Sequence, residues 1–278
     1  MPAEPMTEML SRALSGKYAV GAFNILDASS MRAVVDAAED LRAPIIVQTS
    51  VKTVRFWEPD MIAGWFEILA RDADVPVALH LDHCGDEALI ESCMIAGWTS
   101  VMFDGSRLGF EENAARTRAV AESARNYGVS IEAELGPIGS NGVPEDIFTD
   151  PDEAERFLLL TGIDCLAPAV GTAHGLYHGE PRIDFDRLGA IAARTGCPLA
   201  LHGGTGLSDG DFRRAIDTGC AKINISTAIK LAFMEGCAGT DGLSLPGRDP
   251  IAVLDAQYDA VRAVVSAHIG LFGCAGKA

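Results

Sequence analysis

The 278-residue sequence lacks a long apolar run, a cationic leader and any clustering of cysteines. A helix that spans a membrane needs about 20 consecutive apolar residues, and no segment approaches that length. Residues 1–14 mix two glutamates and an arginine with short apolar stretches, so no secretion signal is expected. The seven cysteines have no framework-like spacing, which predicts reduced thiols and a cytoplasmic protein.

Positive charge is also scarce. Lys and Arg total 22 against 39 Asp and Glu, which gives a formal net charge of −17. A field of this sign repels polyanions and argues against nucleic acid as a partner. An anionic small molecule could bind only where local N–H groups, cations or a metal overcome that field. Because 48% of the residues are hydrophobic and 22% charged, an ordered protein with a sizeable core is expected.

Short runs rich in Val and Ile alternate with longer segments of helical period, a pattern typical of βα units on a parallel sheet. The predicted strands are 19–24, 44–48, 77–83, 100–104, 130–134, 165–170, 199–203 and 222–226. The predicted helices are 29–41, 59–71, 86–96, 110–127, 151–161, 184–195, 209–218 and about 250–270. Eight strands predict one α/β domain over residues 1–278, a (β/α)8 TIM barrel with an extra C-terminal helix. Segments 135–150 and 236–249 are predicted to be long loops, the first a candidate lid.

Polar residues gather at the carboxyl ends of the predicted strands, where TIM barrels place their chemistry. His83, His174 and His202 each fall at or just after such an end, although they are far apart in sequence. Three imidazoles with one open position are the usual ligands of a catalytic zinc ion, and the sequence holds only six histidines. Three structural histidines are the alternative. His80, deeper in its strand, and His178, beyond a glycine turn, rank lower as ligands.

Carboxylates accompany these histidines. Asp82 precedes His83 and suits proton transfer at a substrate hydroxyl, with orientation of a metal-bound histidine as the alternative role. Asp104 and Glu134 also lie at strand ends, and are predicted either to orient the ligands or to bind a metal at an alternative position. The glycine-rich turn 203–206 and the segment 224–227 lie where barrels often bind phosphate, because glycine lets backbone N–H groups approach an oxyanion closely.

Five ordered segments resemble the class II ketose-bisphosphate aldolases, which act on fructose bisphosphate, tagatose bisphosphate and related sugars. They are His-Leu-Asp-His at 80–83, Glu-Ala-Glu-Leu-Gly at 132–136, Gly-Thr-Ala-His-Gly at 171–175, Leu-His-Gly-Gly at 201–204 and Lys-Ile-Asn at 222–224. The resemblance covers nearly the whole chain. It implies a zinc-dependent aldolase that makes or breaks the C3–C4 bond of a phosphorylated ketose, with dihydroxyacetone phosphate as one product.

The resemblance also implies roles for particular residues. Zinc would be held by His83, His174 and His202, and Asp82 would be the acid/base at the substrate C4 oxygen. Family members typically bind a monovalent cation (Na+ or K+) near the phosphate and form homodimers or homotetramers. The predicted contacts to the phosphorylated sugar are Asn24, Ser50, Gly175, Gly203, Gly204, Thr205, Asn224, Ser226 and Thr227.

The sequence departs from the family in two places. The loop after Glu-Leu-Gly looks several residues shorter than usual, and Glu145 within it is the candidate carrier of the C3 proton, with a solvated loop charge as the alternative. The family commonly has Asp-Pro-Arg before the last helix, where this chain has Asp-Pro-Ile at 249–251. Lys52 and Arg55 are therefore predicted as a substitute anion clamp, unless they are solvated charges at a helix start. The distal group of the substrate could then be a sulfonate or carboxylate.

Two rival functions remain compatible with the sequence. A Schiff-base enzyme of the same fold would use Lys222, although imine chemistry needs no metal and would leave the three histidines unexplained. The other rival is an inactive metal-binding barrel, which the shortened loop keeps open.

Overall fold

The structure, a computed structural model, describes residues 3–238 and 249–278. Eight parallel strands close into a barrel in chain order, and β8 pairs with β1. The strands are β1 (Val20–Asn24), β2 (Ile45–Ser50), β3 (Val77–Cys84), β4 (Ser100–Phe103), β5 (Ser130–Leu135), β6 (Cys165–Pro168), β7 (Leu199–Leu201) and β8 (Cys220–Ile225). The predicted (β/α)8 barrel is confirmed, with strand ends that differ from the predictions by at most two residues.

Eleven helices lie in the described ranges, and all eight predicted helices are among them. Helices α1, α3 and α10 come in addition, and α11 is the predicted extra C-terminal helix, packed against α2 and α10. The bounds are α1 (Met6–Gly16), α2 (Ala28–Asp40), α3 (Val51–Trp57), α4 (Pro59–Asp72), α5 (Glu87–Ala96), α6 (Phe110–Tyr127), α7 (Pro151–Thr161), α8 (Phe185–Thr195), α9 (Asp209–Thr218), α10 (Thr227–Ala238) and α11 (Pro250–Phe272). No described helix is long and apolar enough to cross a membrane.

The two predicted loops have different outcomes. Residues 136–150 hold no helix, as predicted, and are connected to the next loop by a bridge between Gly139 and Ala173. The prediction of a loop from residue 236 is wrong at its start, because α10 continues to Ala238. The remaining part of that prediction, residues 239–248, lies outside the described residues.

Helix α1 lies against the barrel through one apolar face. Met6, Met9, Leu10 and Ala13 are fully buried at the i, i+3, i+4 and i+7 spacing of one helix face. The backbone N–H of Met6 donates to Ser130 Oγ at the start of β5. Since strand starts lie opposite the catalytic end, α1 contributes to stability at the far end of the barrel.

One irregularity of β3 matters for the site. The pairing register between β3 and β4 shifts between Leu81 and Cys84, so that β3 carries one extra residue there. His83 lies within this bulge with a φ of 50°, in the left-handed region. A regular strand would point Asp82 and His83 to opposite faces, whereas a bulge re-aims side chains. Both residues consequently face the same cavity.

Candidate active site

The three predicted metal ligands meet at the carboxyl end of the barrel. Nε2 of His83 lies 2.9 Å from Nδ1 of His202. The ring centroid of His83 is 4.7 Å from those of both His174 and His202. One ring nitrogen from each histidine lies within 4.8 Å of the other two, so one ion could contact all three. Their role as ligands stays a prediction.

Carboxylates orient two of these rings from behind. Nδ1 of His83 lies 2.8 Å from Asp104 Oδ2, which leaves its Nε2 facing the other histidines. Nε2 of His202 lies 2.7 Å from Glu132 Oε1, which leaves its Nδ1 facing His83. A carboxylate that accepts from the outer nitrogen of a histidine fixes the tautomer in which the inner nitrogen can bind a metal.

The electrostatics of the cluster suit a divalent metal. Burial opposes the charged form of His83, but Asp82, Asp104 and Glu134 outweigh it and raise its pKa to about 10. Burial, reinforced by His83, lowers the pKa of His174 to about 4. Burial likewise holds the pKa of His202 well below its ordinary value. Two rings are thus neutral donors at pH 7, and the third carries a proton that a metal would displace.

Asp104 and Glu134 form a second possible cation site with His83. Burial raises the pKa of Glu134 to about 8, although the neighbouring His83 opposes this. Within the described ranges its buried Oε2 has no hydrogen-bond partner, and it lies 3.4 Å from His83 Nδ1. Because His83 belongs to both groups, the two metal positions would be alternatives for this ligand. Their occupation stays a prediction.

Asp82 contacts two amides and makes no hydrogen bond to a histidine of the cluster among the described residues, so its role in proton transfer stays a prediction. Its Oδ2 accepts from Asn24 Nδ2 at 3.1 Å and its Oδ1 from Asn224 Nδ2 at 3.2 Å. The nearest ring nitrogen, His83 Nε2, is 3.8 Å away, beyond hydrogen-bond distance. Burial favours the neutral acid, but His83 and His202 outweigh it and lower the pKa of Asp82. At neutral pH this residue is a carboxylate that faces the cavity.

A cavity of about 320 Å³ opens above this cluster. It contains ten of the eleven residues predicted to bind substrate, together with Asp82, two of the predicted ligands and Lys230. The lining residues are Asn24, Ser50, Val51, Lys52, Asp82, His83, His174, Gly175, Gly203, Gly204, Thr205, Asn224, Ser226, Thr227 and Lys230. A volume of this size suits a small phosphorylated sugar.

At the glycine turn after β7, the backbone of Gly203 lies close to the backbone of Ala173. Gly203 has a φ of +70°, and a Cβ at this position would lie 2.5 Å from the carbonyl oxygen of Ala173. The loop that carries His174 therefore packs directly on the turn that follows His202. Glycine is required at position 203 for both reasons.

Two predicted site residues lie elsewhere. Arg55 does not line the cavity, and its guanidinium forms an exposed ion pair with Asp86 at 3.0 Å. Glu145 does not line it either, and lies 3.4 Å from Arg107 on the outside of the loop. The structure thus supports the solvated-charge interpretation for Arg55 and leaves Glu145 without contact to the cavity in this conformation.

The lower-ranked histidines are also separated from the metal cluster. His80 is fully buried and pairs with Ser100 Oγ at 2.8 Å, whereas His178 is exposed. Neither belongs to a group that could hold a metal within the described residues.

Three residues near the site had no role predicted from sequence. Glu132 supports His202 from inside the barrel, and its alternation with Glu134 on β5 was the available signal. The Tyr177 hydroxyl donates to Gly203 O at 2.9 Å and accepts from Ala173 N at 3.1 Å, which ties the two histidine loops together. Lys230 reaches the cavity from the first turns of α10, a helix that the sequence pattern did not predict.

Lys222 does not support the Schiff-base alternative. Its side chain is fully buried, does not line the cavity and lies 2.9 Å from Glu132 Oε2. A nucleophilic lysine must reach a substrate carbonyl as a free amine, and this ammonium is paired beneath the site.

Comparison with known proteins agrees with the geometry. Residues 4–277 match the family model of class II fructose-bisphosphate aldolase. The chain is 40% identical to fructose-bisphosphate aldolase from Geobacillus stearothermophilus over 284 residues, which cover 98% of each chain. It is 39% identical to sulfofructosephosphate aldolase from Alkalicoccus urumqiensis over 236 residues, which cover 82% of each. Its fold matches the crystal structure of the YdjI aldolase from Escherichia coli K12 with a TM-score of 0.91 and 32% identity, over 99% of each chain.

Three findings lead to one assignment. The family model spans nearly the whole chain, the relatives have about the same length, and the expected residues lie together at one site. The chain belongs to the class II fructose-bisphosphate aldolases, a family of metal-dependent lyases.

Proposed function

We propose that this enzyme cleaves and forms the C3–C4 bond of a ketose 1-phosphate that carries a second anionic group, with dihydroxyacetone phosphate as one product and zinc as the metal. One observation carries the proposal. The Asp82 carboxylate and the inward-facing nitrogens of His83, His174 and His202 converge at the base of a cavity whose rim holds anion-binding groups. A carboxylate, three imidazoles and a lining of polar groups thus lie close enough together to act on one substrate, which supports the proposal.

The donor set fits zinc. Three nitrogen ligands with an open fourth position are typical of catalytic zinc sites. When bound, zinc would supply a Lewis acid that polarises the substrate carbonyl and stabilises negative charge as the C3–C4 bond breaks. His83, His174 and His202 would hold it, with Asp104 orienting His83 and Glu132 orienting His202.

The proton chemistry is assigned to Asp82. In cleavage it takes the proton of the C4 hydroxyl, the C4–O bond becomes the carbonyl of the departing aldehyde, and the electrons of the C3–C4 bond remain on the dihydroxyacetone phosphate half. Asn24 and Asn224 each donate to one oxygen of Asp82, which fixes the plane of the carboxylate. Return of a proton to C3 by Glu145 would require the loop to move, because this carboxylate now contacts Arg107.

Substrate anions would bind at the rim despite the net charge of −17. The turn 203–205 and the hydroxyls of Ser226 and Thr227 suit a phosphate at the start of α10. A monovalent cation, Na+ or K+, is proposed beside that phosphate. Lys52 and Lys230 add two positive charges to the same cavity.

A sulfonate in place of the distal phosphate is the second candidate. The Alkalicoccus urumqiensis relative is named as a sulfofructosephosphate aldolase and is 39% identical to this chain. The cations of the cavity are lysines, which bind anions as point charges without the paired geometry by which arginine matches a phosphate. A carboxylate end is the third variant of the same chemistry.

The test is release of dihydroxyacetone phosphate, measured by a coupled enzyme, from a panel of ketose 1-phosphates. The panel contains fructose and tagatose 1,6-bisphosphates and analogues that end in sulfonate or carboxylate. We expect cleavage of at least one member, loss of cleavage with a zinc chelator and recovery on zinc addition. If no member of the panel is cleaved with zinc present, the proposed function is rejected. A rate unchanged by the chelator would reject the metal.

Assembly and location are part of the proposal. We propose a homodimer or homotetramer, supported by large apolar side chains that are exposed on α10 and α11, namely Leu231, Met234, Ile251 and Leu254. Light scattering coupled to size exclusion tests this, and a monomer at micromolar concentration would reject it. A cytoplasmic location is supported by the spacing of the cysteines in the sequence, which has no disulfide framework.

A further inference from the structure

Lys222 lies inside the barrel between two residues that contact the proposed active site. Its side chain is fully buried on β8. Nζ donates to Asn224 Oδ1 at 2.7 Å and forms an ion pair with Glu132 Oε2 at 2.9 Å. Asn224 in turn donates to Asp82, and Glu132 accepts from His202.

We propose that Lys222 is a positioning residue that orients the proton acceptor Asp82 and the proposed metal ligand His202 together. The proposal rests on the proposed function, because it assigns Lys222 a part in that same reaction. Lys222 does not line the cavity and so acts only through Asn224 and Glu132.

The first arm fixes the orientation of an amide. An asparagine side chain has nearly the same shape when its oxygen and nitrogen are exchanged, so its neighbours decide which atom points where. An ammonium can only donate, and Lys222 therefore holds the oxygen of Asn224 and turns its NH2 toward Asp82. Without Lys222 the amide could turn and present an oxygen to the carboxylate.

The other amide that contacts Asp82 has a neighbour of a different kind. Gln48 Nε2 donates to Asn24 Oδ1 at 2.9 Å, and Asn24 Nδ2 donates to Asp82 Oδ2. Gln48 is itself an amide that can donate or accept, so Lys222, which can only donate, is the stronger constraint on the groups that face Asp82.

The second arm concerns the metal site. Lys222 holds one oxygen of Glu132, and the other oxygen lies 2.7 Å from His202 Nε2. This arrangement keeps Nδ1 of His202 directed at His83. Lys222 is therefore connected by one intermediate residue to each half of the site.

Stability is a poor alternative explanation for the pair. Replacement of a buried ion pair by apolar groups of similar size is often neutral or stabilising, because two charges must be taken out of water to form it. Removal of one partner is costly because it leaves a buried charge alone. A fair test must consequently remove both charges at once.

The main variant is Lys222→Met with Glu132→Gln, which leaves no unpaired charge and changes volume little. We expect it to fold, to lose at least about tenfold in kcat at saturating zinc with KM changed by less than about threefold, and to bind zinc about 10- to 100-fold more weakly. Zinc affinity is measured without substrate by competition with a chromogenic chelator, so this readout is independent of turnover.

Zinc affinity in the main variant reports on the arm to His202. The arm to Asp82 is isolated by a cycle with Asn224→Ala. If Lys222 acts through Asn224, the double change should cost less in kcat on the Asn224→Ala background than on the wild-type chain.

The outcomes are decisive. Wild-type kcat and zinc affinity in the double variant would overturn the proposal. Loss of the fold in that variant would also overturn it, because Lys222 would then be needed for barrel stability alone. Additive losses in the cycle would remove the Asn224 arm. A wild-type enzyme without aldolase activity would reject the proposed function instead, and the zinc readout would still test the Glu132 arm.

Discussion

The facing ring nitrogens of His83 and His202 lie 2.9 Å apart, although the residues are 119 positions apart in the chain. The outer nitrogen of each ring is held by a carboxylate, Asp104 for His83 and Glu132 for His202. Two donor atoms held this close together, with a third ring beside them, form a site arranged for one ion.

His174→Ala should abolish both stoichiometric zinc and cleavage, because two imidazoles alone leave the ion without its third nitrogen ligand. Metal content is measured by plasma mass spectrometry after dialysis, and cleavage by the coupled assay. His178→Ala is the matched control, since this exposed histidine on the same loop lies outside the metal group. Retained zinc and rate in His174→Ala would remove that residue from the site.

Asp82→Asn should keep zinc and lose about 10²-fold or more in kcat, the contribution typical of a general acid or base. The substitution preserves shape and removes the negative charge that accepts the C4 proton. An unchanged kcat would assign Asp82 to an orienting role. Parallel loss of zinc would do the same.

Zinc binding should release a proton. In the metal-free chain the pKa of His83 is raised to about 10, so this ring is protonated at pH 7 to 9, and zinc must displace that proton. The apparent zinc affinity should therefore rise by about tenfold per pH unit through this window and level off above pH 10, as expected for loss of one proton. Calorimetry in buffers of different ionisation enthalpy counts the protons directly.

The folding stability of the metal-free chain should change with pH in the opposite direction to its zinc affinity. A raised pKa means that the folded metal-free chain holds the His83 proton more tightly than the unfolded chain, so this stabilisation is complete below about pH 6.5 and is lost as pH rises toward 10. Asp104→Asn removes the negative charge beside Nδ1 of His83 and should make both pH dependences shallower. A zinc affinity that is flat from pH 7 to 9 would contradict the raised pKa.

Gly203→Ala should destabilise the fold by more than about 1 kcal/mol and impair cleavage, since alanine is strained at positive φ and its Cβ would lie against the backbone of Ala173. Gly179→Ala is the control, because a Cβ there meets nothing within 4 Å. Urea unfolding and kcat/KM measure the two effects. Equal behaviour of the two variants would show that the turn is not a constrained part of the site.

Lys230→Ala should raise KM for the preferred anionic ketose about tenfold with little change in kcat, because hydrogen bonds to charged groups contribute about 1.5–3 kcal/mol. Arg55→Ala should leave KM unchanged, since its partner is Asp86 outside the cavity. A raised KM in Arg55→Ala together with an unchanged KM in Lys230→Ala would show that Arg55, and not Lys230, binds the substrate anion.

Much of the fold was accessible from the sequence because β-strands that are buried on both faces give continuous apolar runs. The barrel followed from eight such runs, and the three histidines followed from their positions after them. Helix α3 was missed because it is only seven residues long and directly follows β2, and α10 because it directly follows β8. A helix is hard to recognise from periodicity when it is short or when no turn residues separate it from the preceding strand.

The remaining parts of the site depend on tertiary contacts. The pairing of Glu132 with His202 joins residues 70 positions apart, and the alternation of Glu132 with Glu134 could place Glu132 on the inner face without indicating its partner. The bulge that brings Asp82 and His83 to one face reverses the rule of strand alternation. Arg55 was predicted from proximity in sequence, and the neighbouring Asp86 of another βα unit neutralises it.

X-ray absorption at the zinc edge tests the central claim most directly. The chain loaded with one equivalent of zinc should show three imidazole nitrogens at about 2.0–2.1 Å and one oxygen ligand from water, as expected for His83, His174 and His202 around one ion. A shell dominated by carboxylate oxygens or sulfur, or one fitted by fewer than three imidazoles, would contradict it.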